Sequence, residues 1–383
     1  MLNARTTTTA ILIAFGAAIA AVMPAGAQSS EELLTYARPA EPPPGYPAAY
    51  VNTVRAAENE GRLVIYSNTD AKLAQPLVDD FRSMYPRIDV SYEDINSTEL
   101  YHRFVAETQL RSGTADVLWS SAMDQQAALV SDGYAMAYDS PEDDKLPSWS
   151  NWKHQAFGTT YEPVVFAYNK DLLPKDKVPK TRADLVRLLS EEPERFKGKV
   201  SSYNIEKSGL GFFLAAQDAA ISPDFWNLAK ALGRTETQLE LTTGAMARDL
   251  VGGRTIIGYN VLGAYVAKLA RENPSIGYVY PSDYTIVLSR ILIANKNAAH
   301  PNAAKLWIDY ILSKRGQTII ANKVNLFSIR EDVEGEATAA HLKQTLGASE
   351  RPVSIGPALI GYLNNQNYRD FILQWQKALA GKP

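Results

Sequence analysis

At 383 residues and without a single cysteine, the chain has no route to a disulfide, a thiolate metal site or a cysteine nucleophile. It also exceeds the roughly 250–300 residues that one hydrophobic core usually serves, so two α/β units stabilised by packing alone are expected. Its 39 Lys and Arg against 42 Asp and Glu give a net charge of −3, and the basic residues are scattered, which excludes a nucleic-acid footprint and a polybasic membrane patch.

Residues 1–27 hold one charged side chain, Arg5, then an apolar run from Ala10 to Val22, Pro24 and the small triplet Ala25-Gly26-Ala27. The run is shorter than the roughly 20 residues a bilayer span needs, and the triplet suits a signal peptidase. A secretory signal peptide cleaved after Ala27 is therefore expected, which places the mature chain in the periplasm; an uncleaved anchor would also leave the domain outside the cytoplasm. Residues 28–60 contain Pro42-Pro43-Pro44, which can join neither a ladder nor a helix interior, and read as a leader draped over the domain or spacing it from the membrane.

From Gly61 the pattern alternates strand and helix. Leu63-Val64-Ile65-Tyr66 is a strand, Ser67-Asn68-Thr69-Asp70 supplies helix caps, and Leu73, Leu77, Phe81 and Met84 make one helical stripe that Pro86 ends. A second strand spans Ile88–Tyr92 and a second helix opens at Asn96-Ser97-Thr98-Glu99; a third strand, Ala115–Trp119, runs into Ser120-Ser121 and a helix from Met123. Three strands thus end in small polar residues that begin helices. In an open parallel sheet, ligands sit beyond the carboxyl ends of strands, where helix N-termini offer free N–H groups. Each such residue also reads simply as a cap; three in register point to a binding mouth.

Val164–Asn169 is an apolar strand long enough to cross between lobes. A second unit follows, with strands Gly198–Tyr203 and Ile256–Asn260, a helix behind Ser208-Gly209-Leu210-Gly211, and a helix of Val266 and Leu269. Gly277–Pro281 and Tyr284–Leu288 form a β-rich stretch that would be the second crossing of a hinge. The predicted organisation is a signal peptide over 1–27, a leader over 28–60 and a first α/β lobe over 61–160 completed by about 285–335. A second lobe covers 161–284 and a C-terminal helical segment 336–383.

Val64-Ile65-Tyr66-Ser67-Asn68-Thr69-Asp70, Phe81-Arg82-Ser83-Met84-Tyr85-Pro86, Ala115–Trp119 and His300–Ser313 followed by Gly316-Gln317 stand in an order and spacing that resemble the solute-binding proteins of ABC importers, of the ferric-iron-binding type, over roughly residues 61–335. The resemblance implies an α/β, two-lobed periplasmic binding fold with hinge-crossing strands and a ligand held between the lobes, delivered to an inner-membrane permease with its ATPase. Iron-binding members of the family present a histidine in the first βα loop, a glutamate after the third strand and adjacent tyrosines in the second lobe. Here Asp70 and Ser120-Ser121 stand at the first two places, and Gly258–Tyr265 holds Tyr259 and Tyr265 apart. The histidines His102, His154, His300 and His341 have no second histidine at helical spacing and read as surface or capping residues. No metal and no cofactor are therefore expected.

The family's Ser-Gly helix start for an anion does match, at Ser208-Gly209. The hydroxyl can donate, the glycine permits close approach and the helix dipole favours negative charge. The expected ligand is a small anion such as an organic phosphate or phosphonate. Ser67, Asn68, Thr69, Ser97, Ser120 and Ser121 would bind it from one lobe, Ser208, Gly209 and Asn260 from the other, with Tyr161, Tyr203 and Tyr259 edging it. Asp70 would suit a ligand that also carries hydroxyl or amino groups. The chain is expected to act as a monomer without nucleic-acid partners. The competing readings are a ferric-iron carrier, a receptor subunit read by a membrane sensor, and an exported enzyme acting on a phosphorylated or carboxylated small molecule. For the last there is no Gly-x-Ser-x-Gly elbow or phosphate loop, and the pairs Asp143-Asp144 and Glu191-Glu192 lie in polar stretches.

Overall fold

The computed structural model describes residues 40–381, so the expected signal peptide and the leader up to residue 39 lie outside the described residues. The described chain begins with helix α1 (Val51–Glu60), then β1 (Arg62–Ser67), α2 (Ala71–Met84), β2 (Asp89–Asp94), α3 (Ser97–Leu110), β3 (Val117–Ser120), α4 (Met123–Ser131), β4 (Asn151–Trp152) and β5 (Ala156–Gly158). It continues through β6 (Glu162–Asn169), α5 (Arg182–Glu191), α6 (Pro193–Phe196), β7 (Val200–Tyr203), α7 (Gly209–Ile221), α8 (Phe225–Arg234), β8 (Gln238–Glu240), α9 (Thr243–Val251), β9 (Ile257–Leu262), α10 (Gly263–Glu272), β10 (Ile276–Val279) and β11 (Thr285–Leu288). The last elements are β12 (Ile291–Ala294), α11 (Pro301–Leu312), α12 (Lys314–Ile319), α13 (Ala339–Leu346), β13 (Glu350–Pro352) and α14 (Asn365–Leu379).

Two sheets organise two lobes. The first has the order β2-β1-β3-β12-β5-β4, the second β13-β11-β6-β9-β7-β8 with β10 added beside β6. Strands β2, β1 and β3 are parallel, as the strand–helix alternation predicts, and so are β8, β7 and β9. Strand β12 runs antiparallel to β3, with Ile291 opposite Ser120. It enters from the other lobe at the end where β3 leaves, so it has to run in the opposite direction. Alternation along β1 fills both faces: Leu63 and Ile65 join the core around Trp307, and Tyr66 joins the core around Phe104 and Leu118. The stripe Leu73, Leu77, Val78 and Phe81 buries α2 against the first of these.

The chain passes between the sheets at Thr159–Tyr161 and again at Ser289–Arg290. The second passage is later than the β-rich stretch expected to make it, because β10 and β11 both stay in the second sheet. The two passages lie side by side: Thr159 N donates to Arg290 O at 3.0 Å, and Arg290 N to Thr160 Oγ1 at 2.8 Å. Arg290 is fully buried, with Nε 2.8 Å from Glu162 Oε1 and Nη1 donating to Thr69 Oγ1 at 2.6 Å. A third passage joins α13, packed in the first core, to β13, which pairs with β11.

Two boundaries differ from expectation. The leader does not run to residue 60, because α1 buries Val54 and Ala57 in the first core and Glu60 accepts the N–H groups of Asn302 and Ala303, capping α11. Tyr50 closes this strap by donating to Asp309 at 2.5 Å. The C-terminal segment is not one helical unit: α13 belongs to the first lobe, while α14 lies on α8 in the second. There Phe225 and Trp375 stack with centroids 6.0 Å apart, and a Cβ on Gly233 would fall 2.2 Å from Leu379 O.

Candidate ligand-binding cleft

Six helices begin at one cleft between the lobes. From the first lobe come the starts of α2 (Asp70), α3 (Asn96-Ser97) and α4 (Ser121); from the second come α7 (Ser208), α9 (Thr242-Thr243-Gly244) and α10 (Leu262), with Tyr265 one turn on. Asp94, Ile95, Asn68, Leu210 and Leu241 complete the wall of this solvent-open cleft. Each start follows a strand's carboxyl end or a short turn, so unsatisfied N–H groups and positive dipole ends converge on one volume.

The hydroxyls are poised as donors. Ser208 Oγ accepts from Gly211 N at 3.2 Å, Thr242 Oγ1 from Ala245 N at 3.1 Å, Ser97 Oγ from Leu210 N at 3.0 Å and Ser121 Oγ from Asn68 Nδ2 at 2.8 Å. A hydroxyl whose lone pair is taken still has its proton to give. The Ser97–Leu210 bond spans the two lobes, as does Asp70 N to Tyr265 Oη at 3.4 Å. A Cβ on Gly209 would come within 2.5 Å of Gln125 Nε2 in α4, so glycine there lets the lobes meet.

Two carboxylates share the wall. Asp94 accepts from Ala71 N, the first N–H of α2, at 3.1 Å, while Asp70, the N-cap of that helix, makes no side-chain cap. Burial pushes the Asp94 carboxyl up; the Ala71 N–H opposes this and neighbouring Asp70 adds to it. Burial also raises the Tyr265 phenol, which stays protonated at neutral pH.

Of the residues expected to bind, the structure gathers Asn68, Asp70, Ser97, Ser121 and Ser208 on the wall, with Gly209 behind it. Others stand elsewhere. Ser67 donates to Trp119 O and accepts from Thr69 N, Thr69 receives the Arg290 guanidinium, and Ser120 accepts from Ala122 N; all three brace the loops from below. Tyr203 is buried beneath α9, its hydroxyl 2.5 Å from Thr243 Oγ1. Tyr161 sits at the hinge, donating to Glu350 at 2.7 Å. Tyr259 and Asn260 turn into the second lobe and both donate to Asp218 Oδ2, at 2.5 and 2.6 Å. The β9 bulge, where Asn260 has φ 59°, aims that side chain inward rather than at the cleft. The sequence reading missed Asp94, the Thr242-Thr243-Gly244 turn and Tyr265 as a wall residue. The turn carries the same strand-then-small-polar signal as the others, but its strand β8 has only three residues.

The chain matches the family described as bacterial extracellular solute-binding protein over residues 76–344. Among solved structures it is similar to the substrate-binding protein of an ABC transporter from Agrobacterium tumefaciens, at 38% identity over 83% of this chain and 94% of that one, with a TM-score of 0.80. It shares its fold with AfuA of Actinobacillus pleuropneumoniae, solved with fructose-6-phosphate bound (20% identity, 83% and 98% covered, TM-score 0.70). The same holds for iron-bound HitA of Pseudomonas aeruginosa (16%, 83% and 99%, 0.63). No curated protein matches it in sequence. With a family match across most of its length and a 38% identical relative, the chain belongs to the bacterial extracellular solute-binding proteins, which bind solutes and are not enzymes.

Proposed function

We propose that this protein is the periplasmic solute-binding subunit of an ABC importer, capturing a small organic anion between its lobes and presenting it to an inner-membrane permease with its ATPase. The observation that carries the reading is the convergence of six helix starts with four hydroxyls whose lone pairs are already engaged. Such a wall donates to a ligand from many directions, and a phosphate or phosphonate head accepts from as many. Ser97 and Ser121 act from the first lobe, Ser208 and Thr242 from the second, and closure about the Arg290–Glu162 hinge brings the two sets together. The similarity to an ABC transporter's substrate-binding protein supports the transport role.

The test is a thermal-shift screen against phosphate esters, phosphonates, carboxylates and ferric salts. A ligand at 100 times its Kd is expected to stabilise the fold by about 2.7 kcal/mol. A transition that moves with ferric ion and with none of the organic anions overturns the reading.

A further inference from the structure

The donor wall has an acidic corner that a simple anion does not use. The residues lining the cleft include two carboxylates, Asp70 and Asp94, and no Lys, Arg or His. Asp70 is the N-cap of α2 yet makes no side-chain cap; Asp94 has taken the first N–H of that helix, and Asp70 is left facing the second lobe. Its Oδ2 comes within 3.7 Å of where a Cβ on Gly244 would sit. Arg248 of α9 is exposed and brings Nη1 to 3.6 Å of the same point without forming an ion pair with Asp70, and Arg290, bonded to Thr69 below the wall, is already paired with Glu162. Two neighbouring carboxylates make this corner unfavourable for an anion and favourable for an ammonium. Because Asp94 answers the positive end of α2, a cation there does not face an open helix start.

We infer that the solute is zwitterionic, with a protonated amine seated between Asp70 and Asp94 and its anionic group on the helix starts at Ser97 and Ser208. The inference rests on the anion reading of the same cleft. The two acidic residues then select against anions that lack the amine, much as a site built to pair a polar group rejects the analogue without it.

Calorimetric titration of the purified protein at pH 7 with three phosphate monoesters sharing a two-carbon chain tests it: O-phosphoethanolamine, 2-hydroxyethyl phosphate and ethyl phosphate. Affinity is expected to fall in that order, by about tenfold or more from the amine to ethyl phosphate, which corresponds to about 1.4 kcal/mol. Asp70→Asn and Asp94→Asn are each expected to weaken the amine ester far more than ethyl phosphate, with unfolding curves confirming that the variants fold. Ethyl phosphate binding as tightly as the amine ester overturns the inference while leaving the anion reading intact, as does a preference that survives both substitutions. If none of the three binds at millimolar concentration, the organic-phosphate reading fails and the inference falls with it.

Discussion

Two polar clusters in this protein, each holding an aspartate among hydrogen-bond donors, do opposite work. In the second lobe, Asp218 is fully buried and receives Arg182, Tyr259, Asn260 and Tyr284, with Arg182 also bonded to Asp283 and to Tyr284 O. Its charge is answered from every side by the protein itself. In the cleft, Ser97, Ser121, Ser208, Thr242 and Asp70 have protons or lone pairs still to offer. A closed polar network stabilises a lobe; an incomplete one at a meeting of lobes is completed by a ligand.

The sharpest way to separate the two is to break the closed one. Asp218→Ala leaves the Arg182 guanidinium buried beside three orphaned donors. Equilibrium urea unfolding is expected to show a loss of about 3–5 kcal/mol, the range for stripping one partner from a buried pair. Molecules that remain folded are expected to bind ligand with unchanged Kd. A large affinity loss with intact stability would place Asp218 in the binding machinery instead.

Asp124 is a third arrangement, a buried carboxylate in the first turn of α4 that no cation among the described residues answers. Burial pushes its carboxyl up to about 7, with only the N–H groups of Gln125 and its own backbone opposing. Asp309 is likewise raised by burial, to about 6, against the hydroxyls of Ser140, Tyr138 and Tyr50. Between the unfolded value of 3.8 and these folded values the native state holds more protons than the unfolded one. Stability is therefore full on the acid side of that window and is lost as pH rises through 6 and 7. Carboxylates held low, such as Asp332 beside Arg330, act only at still lower pH, where their contribution is lost on further acidification. Lowering the pH from 7.5 to 5.5 is expected to stabilise the protein by about 2 kcal/mol through Asp124 alone, and Asp124→Asn to flatten the curve. A stability that rises with pH over that range contradicts the assignment.

How much of this was legible in the sequence follows from what each signal measures. The βα turns at Ser67–Asp70, Asn96–Glu99, Ser120–Ser121 and Ser208–Gly209 were visible because local caps and period-two strands are short-range patterns. They located the cleft. Tyr259 and Asn260 looked like a further mouth of the same kind, but a bulge in β9 reverses where Asn260 points, and a bulge is set by the register with β6 and by Asp218, 42 residues away in sequence. Asp94 was passed over because strand-end aspartates are ordinarily solvated, and its role depends on Ala71, 23 residues earlier. The strap over residues 46–60 was hidden by the prolines before it, whereas the contacts that fix it come from Asp309 and Asn302.

Within the cleft, Ser121→Ala removes a donor without touching a helix cap. An affinity loss of about tenfold for the bound anion is expected, near the lower end of what a hydrogen bond to a charged group contributes. The unfolding midpoint of the unliganded protein is expected to stay unchanged. An unaltered Kd would remove Ser121 from the wall's donors and leave the Asn68 contact as its whole purpose.

The smallest effect tests closure rather than contact. Gly209 faces Gln125 across the lobes, and a methyl group there would come within 2.5 Å of the Gln125 amide. That amide is the mobile end of a long side chain, so Gly209→Ala costs little while the lobes are apart and something only as they meet. The expected result is a few-fold weaker affinity with no change in unliganded stability, since the substitution taxes the binding-competent state alone. Gln125→Ala in the same chain is expected to restore the affinity, because it removes the atoms that the methyl group meets. A loss that persists in the double variant would mean that Gly209 serves the ligand directly, through close approach of its backbone, and not the fit of one lobe against the other.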